Sequence, residues 1–204
     1  MKIGFFEMKS PLVLAPMAGI TDLPFRKLCR RFGAGLAIAE MTSADPSLAG
    51  TRKSRWRLEY GDEPTPRVGQ LVGNCPEQMA ASARNLVQQG VDIVDINLGC
   101  PVKKLRQKRA GAYLLQDLEA IAKLFKTVVK AVPVPVTAKF RSGWDEATPV
   151  AVEVAQLAED SGLAAITVHG RSAKTNYSAP AEYASIADVK QAVTIPVIAN
   201  GDID

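Results

Sequence analysis

The sequence predicts an α/β protein whose parallel strands wind toward a TIM (β/α)8 barrel, incomplete at about seven β/α units. Three observations carry this. Short, β-branched apolar runs alternate with stretches of helical periodicity along the whole chain, the pattern of buried parallel strands joined by right-handed crossovers. The turn after the first strand reads "APMAGITD" and lacks the G-x-G-x-x-G spacing of a doubly wound dinucleotide fold. Six of the seven expected strand ends pass from an apolar run to a polar or ionisable side chain, and in a barrel such ends converge on one face.

The first strand is expected at Leu12–Ala15, within an N-terminal stretch whose Glu7 and missing cleavage site argue against a secretory signal. Further strands are expected at Leu36–Ala39, Val68–Val72, Val91–Asn97, Val136–Phe140, Ala164–Val168 and Val197–Asn200. Thr21 or Asp22 can cap a helix whose Phe25, Leu28, Cys29 and Phe32 recur on one face, and Gly33 supplies its stop. Asn74 can cap a second helix, with Met79, Ala83, Leu86 and Val87 turned inward. Leu118, Ile121, Phe125 and Val128 mark a third. Thr148-Pro149 reads as an N-cap and first-turn proline ahead of Val150, Val154, Leu157 and Ala158, and a fifth helix runs from about Ala181 to Val193. The segment "TSADPSLAGTRKSRWRLEYGDEPTP" is long and at best partly helical.

The 204 residues are 47% hydrophobic and 23% charged, enough for one domain over residues 1–204. No apolar run approaches the roughly 20 residues that cross a bilayer, so no membrane partner is expected. Cysteines at 29, 75 and 100, odd in number and scattered, fit neither a disulfide framework nor a metal site; they point to a reducing compartment, the cytoplasm. Net charge is +4, but the local clustering says more: Lys103, Lys104, Arg106, Lys108 and Arg109 fall within seven residues.

The expected strand ends carry Pro16-Met17, Glu40, Gln70, Asn97 with Cys100, Lys139 with Arg141, His169 with Arg171, and Asn200 with Asp202. These residue types suit a flavin. The Gln70 amide can donate to and accept from a pyrimidine edge. Lys139 can offset the negative charge that reduction leaves on the ring. His169-Gly170-Arg171 and Asn200-Gly201-Asp202 can contribute to a phosphate cradle. A sugar phosphate could use similar groups. Trp56 and Trp144 are expected in loops on the same face, as base-stacking or anchoring residues, and Glu40 as a supporting group or substrate contact.

In order and spacing, "PLVLAPMAGITDLPFR", "VGQLVG", "DINLGCPVKK", "RAGAYLL", "VTAKFRSGW", "ITVHGRS" and "VIANGDI" resemble the tRNA-dihydrouridine synthases, and among them the bacterial DusB-like branch. The match covers nearly the whole chain, and the combination is specific where the tripeptide GCP alone would be weak. The resemblance implies FMN-dependent reduction of a D-loop uridine in tRNA, with NADPH as reductant. It implies that Cys100 is the proton donor to C5 of the uracil and that Asn97 contacts the base. It assigns Gln70, Lys139 and His169 to the flavin, and Pro16 and Met17 to the loop along the isoalloxazine. Asn200 and Asp202 would begin the segment leading to the flavin phosphate, and Arg141 would be a basic residue near flavin and substrate. The chemistry agrees: reducing a 5,6 double bond needs a hydride on one carbon and a proton on the other, and a thiol at a strand exit between Gly99 and Pro101 suits the second task. Cys29, on an apolar helical face, and Cys75, just before a helix, are read as structural or incidental.

Lys103 and Lys104, just beyond the thiol, are expected to meet tRNA phosphates. The chain departs from the family pattern by reaching Asp204 with seven strands, before a further β/α unit and a helical tRNA-binding domain. It is therefore expected to be the N-terminal portion of a synthase. An FMN-dependent barrel acting on a free pyrimidine, or an inactive fragment, are the alternative readings.

Overall fold

In the computed structural model the alternating pattern folds into a succession of parallel strands with helices packed outside it. Residues 1–203 are described; Asp204, the last residue of the expected domain, lies outside them. The chain opens with a small antiparallel hairpin, β1 (Lys2–Ile3) and β2 (Phe6–Glu7). Ile3 and Met8 pack with Leu36, Ile38, Val68, Ile93 and Ala165, at or near the starts of the barrel strands, so the hairpin closes the N-terminal mouth of the sheet.

The barrel strands follow in chain order. β3 (Val13–Leu14) pairs in parallel with β4 (Leu36–Ala37). Ile38 bridges to Val68, and β5 (Thr42–Ser43) pairs with β6 (Val68–Val72). The expected second strand thus continues beyond Glu40-Met41 into residues that sequence reasoning placed in a loop. From β6 the ladder runs through β7 (Ile93–Leu98), β8 (Val136–Arg141), β9 (Ala165–His169) and β10 (Val197–Asn200), each parallel to the next. Among the described residues the outer edges of β3 and β10 have no strand partner, so the barrel is open. Asn97, Arg141 and His169 belong to the ladder itself, pairing in register with Lys139, His169 and Arg141 respectively.

Four helical expectations need correction. Helix α1 (Leu23–Arg31) is capped by Asp22 as expected, but its apolar stripe faces outward: Leu28 is 45% and Phe32 83% exposed, whereas Arg26 is 1% exposed. The Arg26 guanidinium lies 2.8 Å from Glu63, donates to the carbonyls of Thr21 and Glu59, and sits over the Tyr60 ring. A buried cation with its donors matched sets the orientation of the helix against its own periodicity. Helix α2 (Arg52–Arg57), capped by Thr51, occupies part of the long segment. Helix α3 (Pro76–Gln88) has Cys75, not Asn74, at its N-cap. A short α4 (Lys103–Gln107) holds most of the cationic run, followed by a 3-10 segment at Gly111–Gln116 and α5 (Leu118–Ala131). Helix α6 (Ala151–Asp160) starts later than Thr148-Pro149, because Thr148 bonds the Asp145 carboxylate and closes a turn instead. Helix α7 (Tyr183–Ala192) starts after Ala181, whose N–H donates to Asp202. Met79, Ala83 and Leu86 of α3, Ile121, Phe125 and Val128 of α5, and Val154 and Ala158 of α6 build the outer core against the strands. No helix among the described residues is long and apolar enough to cross a membrane.

Candidate active site

The C-terminal ends of β6 to β9 gather Gln70, Asn97, Lys139, Arg141 and His169 around a pocket of about 350 Å³. Pro16 and Met17 enter from the loop after β3, Met41 from between β4 and β5, Cys100 from the loop after β7, and Tyr177 from the loop after β9. Of the residues expected at the site, Asn200, Asp202, Lys103 and Lys104 do not line this pocket.

A chain of hydrogen bonds runs beneath it with a fixed direction. The Asp95 carboxylate accepts from Thr137 Oγ1 at 2.6 Å and from Gln70 Nε2 at 2.7 Å. With the Asp95 carboxylate accepting, the Gln70 amide turns its nitrogen to Asp95 and its oxygen to the far side. That oxygen accepts from Asn97 Nδ2 at 2.8 Å. The Asn97 oxygen is then aimed at the backbone, accepting from the N–H groups of Gly99 at 3.1 Å and Cys100 at 3.0 Å. Burial pushes the Asp95 carboxyl up, opposed by the hydrogen bonds from Thr137 and Gln70. Asp95 was missed in the sequence; its signal was a carboxylate within an apolar strand, where only a partnered charge survives.

Two further contacts hold the thiol loop. Arg141, 2% exposed, donates from Nε to the Gly99 carbonyl at 2.9 Å, from Nη1 to the Ser172 carbonyl at 2.8 Å and from Nη2 to the Tyr177 hydroxyl at 2.9 Å. It therefore ties the Cys100 loop to the Tyr177 loop. Gly111, with φ of 64°, packs so closely that an added Cβ would stand 2.6 Å from the Cys100 carbonyl oxygen. This gives the "RAGAYLL" stretch a role in placing Cys100. Tyr177 is 69% exposed, and no periodicity or spacing singled it out.

At the other end of the pocket Lys139 Nζ donates to Asn200 Oδ1 at 2.8 Å. Burial pushes the Lys139 amine down to about 8; the Asp95 carboxylate opposes this and the Arg141 cation adds to it. His169 is pushed down to about 4, first by burial and then by Lys139, Arg141 and Arg171, so it is neutral at pH 7. Arg171 Nη1 lies 3.2 Å from His169 Nε2; a guanidinium only donates, so Nε2 accepts and the ring proton sits on Nδ1. The remaining reach of Arg171 goes to the Ala179 carbonyl and both carboxylate oxygens of Asp202. Asn200 thus reaches the pocket only through Lys139, and Asp202 is locked to Arg171.

The outlying residues fall into place around this centre. Glu40 is buried and accepts from the Gly19 N–H at 2.8 Å, with Arg57 Nε 3.1 Å away, so it supports the loop that carries Pro16 and Met17. Trp144 meets Tyr113 edge-on at 5.5 Å and anchors a loop. Trp56 lies on α2, not in a loop. Lys103 and Lys104 are exposed on α4. Among the described residues no group of His, Cys, Asp or Glu side chains could hold a metal.

The fold has known counterparts. A variant of NCR from Zymomonas mobilis superposes with a TM-score of 0.66 at 15% identity, over 100% of this chain and 78% of that one. Histamine dehydrogenase from Rhizobium sp. 4-9 gives a TM-score of 0.68 at 12% identity, over 100% of this chain and 42% of that one. At sequence level, tRNA-dihydrouridine synthase B of Xanthomonas campestris pv. campestris is 49% identical over 204 residues, which is 100% of this chain and 61% of the relative. The Klebsiella pneumoniae protein of the same name is 50% identical over 203 residues, 100% of this chain and 63% of the relative. The chain thus spans 61% to 63% of the length of these curated relatives. A family model described as dihydrouridine synthase (Dus) matches residues 13–204, and on that match the chain belongs to the dihydrouridine synthase family.

Proposed function

We propose that this chain carries the catalytic barrel of a cytoplasmic, flavin-dependent tRNA-dihydrouridine synthase, an oxidoreductase that reduces the 5,6 double bond of a D-loop uridine. The observation that carries the reading is the meeting, in one pocket, of the Cys100 thiol with Gln70, Lys139 and His169 at successive strand ends.

The residues present fit the ring of FMN. Pro16 and Met17 offer an apolar wall, Gln70 keeps one amide hydrogen and one lone pair free of the chain described above, and Lys139 supplies a cation. Gly201, with φ of 109°, approaches His169 so closely that a Cβ would stand 2.9 Å from its ring, which keeps this end of the pocket narrow. When bound, FMN supplies the hydride chemistry, with NADPH as the source of the electron pair. The chain's own residues do the rest. Asn97, whose second amide hydrogen meets only the weakly accepting Met41 Sδ at 3.6 Å, turns that hydrogen to the base, Cys100 gives the proton to C5, and the backbone contacts of Arg141 and Gly111 hold that thiol in place. Lys103 and Lys104 on α4 take up phosphates of the incoming tRNA.

The test is an FMN titration followed by turnover. Cys100→Ala should bind FMN as the parent does and form no dihydrouridine in an unmodified tRNA transcript with NADPH. Lys139→Met should weaken FMN binding by at least about tenfold, the scale of one charge-assisted contact. Turnover of free uridine equal to that of tRNA would favour a free-pyrimidine oxidoreductase instead.

A further inference from the structure

We infer that the groove between α2 and α4 is the track for the RNA backbone next to the reacting nucleotide, with Trp56 as a stacking platform at its outer end. This rests on the tRNA reading above and extends it to α2, which that reading does not use.

Charge is concentrated here. Residues 40–59 and 103–109 hold nine cations against three carboxylates, a surplus larger than the +4 of the whole chain, so the remainder is net negative. The innermost cations are paired, Arg57 with Glu40 at 3.1 Å and Lys108 with Asp45 at 2.9 Å, and these pairs fix the walls of the groove. Arg52, Lys53, Arg55, Lys103, Lys104 and Arg106 have no carboxylate partner among the described residues. Like charges one helical turn apart, such as Arg52 and Arg55, repel, and a bound polyanion relieves that repulsion.

The shape supports the same occupant. The groove, about 290 Å³, is walled by Lys53 and Arg57 on one side and Lys104 and Lys108 on the other. It shares Met41 and Val102 with the catalytic pocket, so the two are continuous. Outward it shares Lys53 with an open shelf lined by Arg52, Arg55, Trp56 and Glu59. Trp56 is 53% exposed there. A strand whose base enters the pocket beside Cys100 would leave across paired walls of cations and reach an aromatic face, the combination that binds single-stranded nucleic acid. An anionic membrane would instead favour a broad apolar stripe on a basic helix; α2 reads RKSRWR, with Trp56 as its one apolar side chain.

The test measures binding of an unmodified tRNA transcript by fluorescence anisotropy across a salt series. Three forms are compared: the parent, R52Q/K53Q/R55Q, and K103Q/K104Q. The α2 triple variant should bind at least about tenfold more weakly at low salt. Its slope of log affinity against log salt should be shallower by about 2, from roughly 0.7 for each lost single-strand phosphate contact. FMN binding should be unchanged. A single-stranded RNA oligonucleotide should quench part of the tryptophan fluorescence, and Trp56→Ala should remove that quench. Parent-like tRNA affinity and slope in the α2 variant, with weakened binding in K103Q/K104Q, would overturn this inference and leave the tRNA reading standing. No weakening in either variant would remove both. Loss of binding to phosphatidylserine vesicles with tRNA binding intact would also overturn it, in favour of a membrane.

Discussion

Asp95 illustrates what a single residue contributes here. Its carboxylate sets which way the Gln70 amide faces, and through it the Asn97 amide and the backbone at Cys100. Asp95→Asn keeps the shape but adds a donor, so the Gln70 amide is free to invert and the Asn97 oxygen loses its obligation to the Cys100 N–H. Site-resolved alkylation should show Cys100 reacting several-fold faster than in the parent, with Cys75 unchanged; an unchanged Cys100 rate would remove Asp95 from the positioning of the thiol. His169, the only histidine, gives a second residue-scale check. With its pKa at about 4 against an ordinary value near 6.5, the folded state binds fewer protons than the unfolded between those values. Its contribution to stability is therefore present above about 6.5 and lost as pH falls through about 4. The single imidazole resonance should titrate near 4 while the chain stays folded; a midpoint near 6.5 would mean the ring is solvated. That Cys100, Lys139 and His169 line one pocket was legible because each stood at or just beyond an expected strand end. Asp95 was not, since its meaning depends on Thr137 and Gln70 from neighbouring strands that the sequence does not align.

Elements divide in the same way. The barrel strands were legible because burial on both faces demands continuous β-branched runs; those that escaped are two residues long, β1 and β2 of the N-terminal hairpin and β5 beyond a break at Glu40-Met41. The orientation of α1 was not legible, because the partners of Arg26 come from a segment more than thirty residues away. Arg26→Met should cost about 3 to 5 kcal/mol in urea unfolding, since it leaves Glu63 buried without its cation, while Phe32→Ser should stay within about 0.5 kcal/mol. The opposite ranking would restore the periodicity reading of this helix. The 3-10 segment after α4 carries its own prediction. Gly111→Ala forces a side chain against the Cys100 carbonyl and strains a positive φ. Turnover should fall at least about tenfold through displacement of the thiol, with FMN affinity little changed. Loss of FMN instead would give the segment a part in the cofactor pocket.

At the scale of the whole molecule, the open barrel orders its strand ends so that one flank of the pocket is basic and aromatic and the other is an ion-paired lock around Arg171 and Asp202. Parallel strands in chain order make this arrangement readable from the sequence: each β/α unit contributes its exit to the same face. The direction of side chains across that face is what the sequence withheld, and it redistributed the expected roles of Arg171 and Asp202. The most direct measurement is the formation of dihydrouridine in an unmodified tRNA transcript by the purified chain with FMN and NADPH, set against Cys100→Ala. The site described here predicts FMN bound by both proteins and dihydrouridine from the parent alone. FMN bound by neither, or equal product from both, would contradict it.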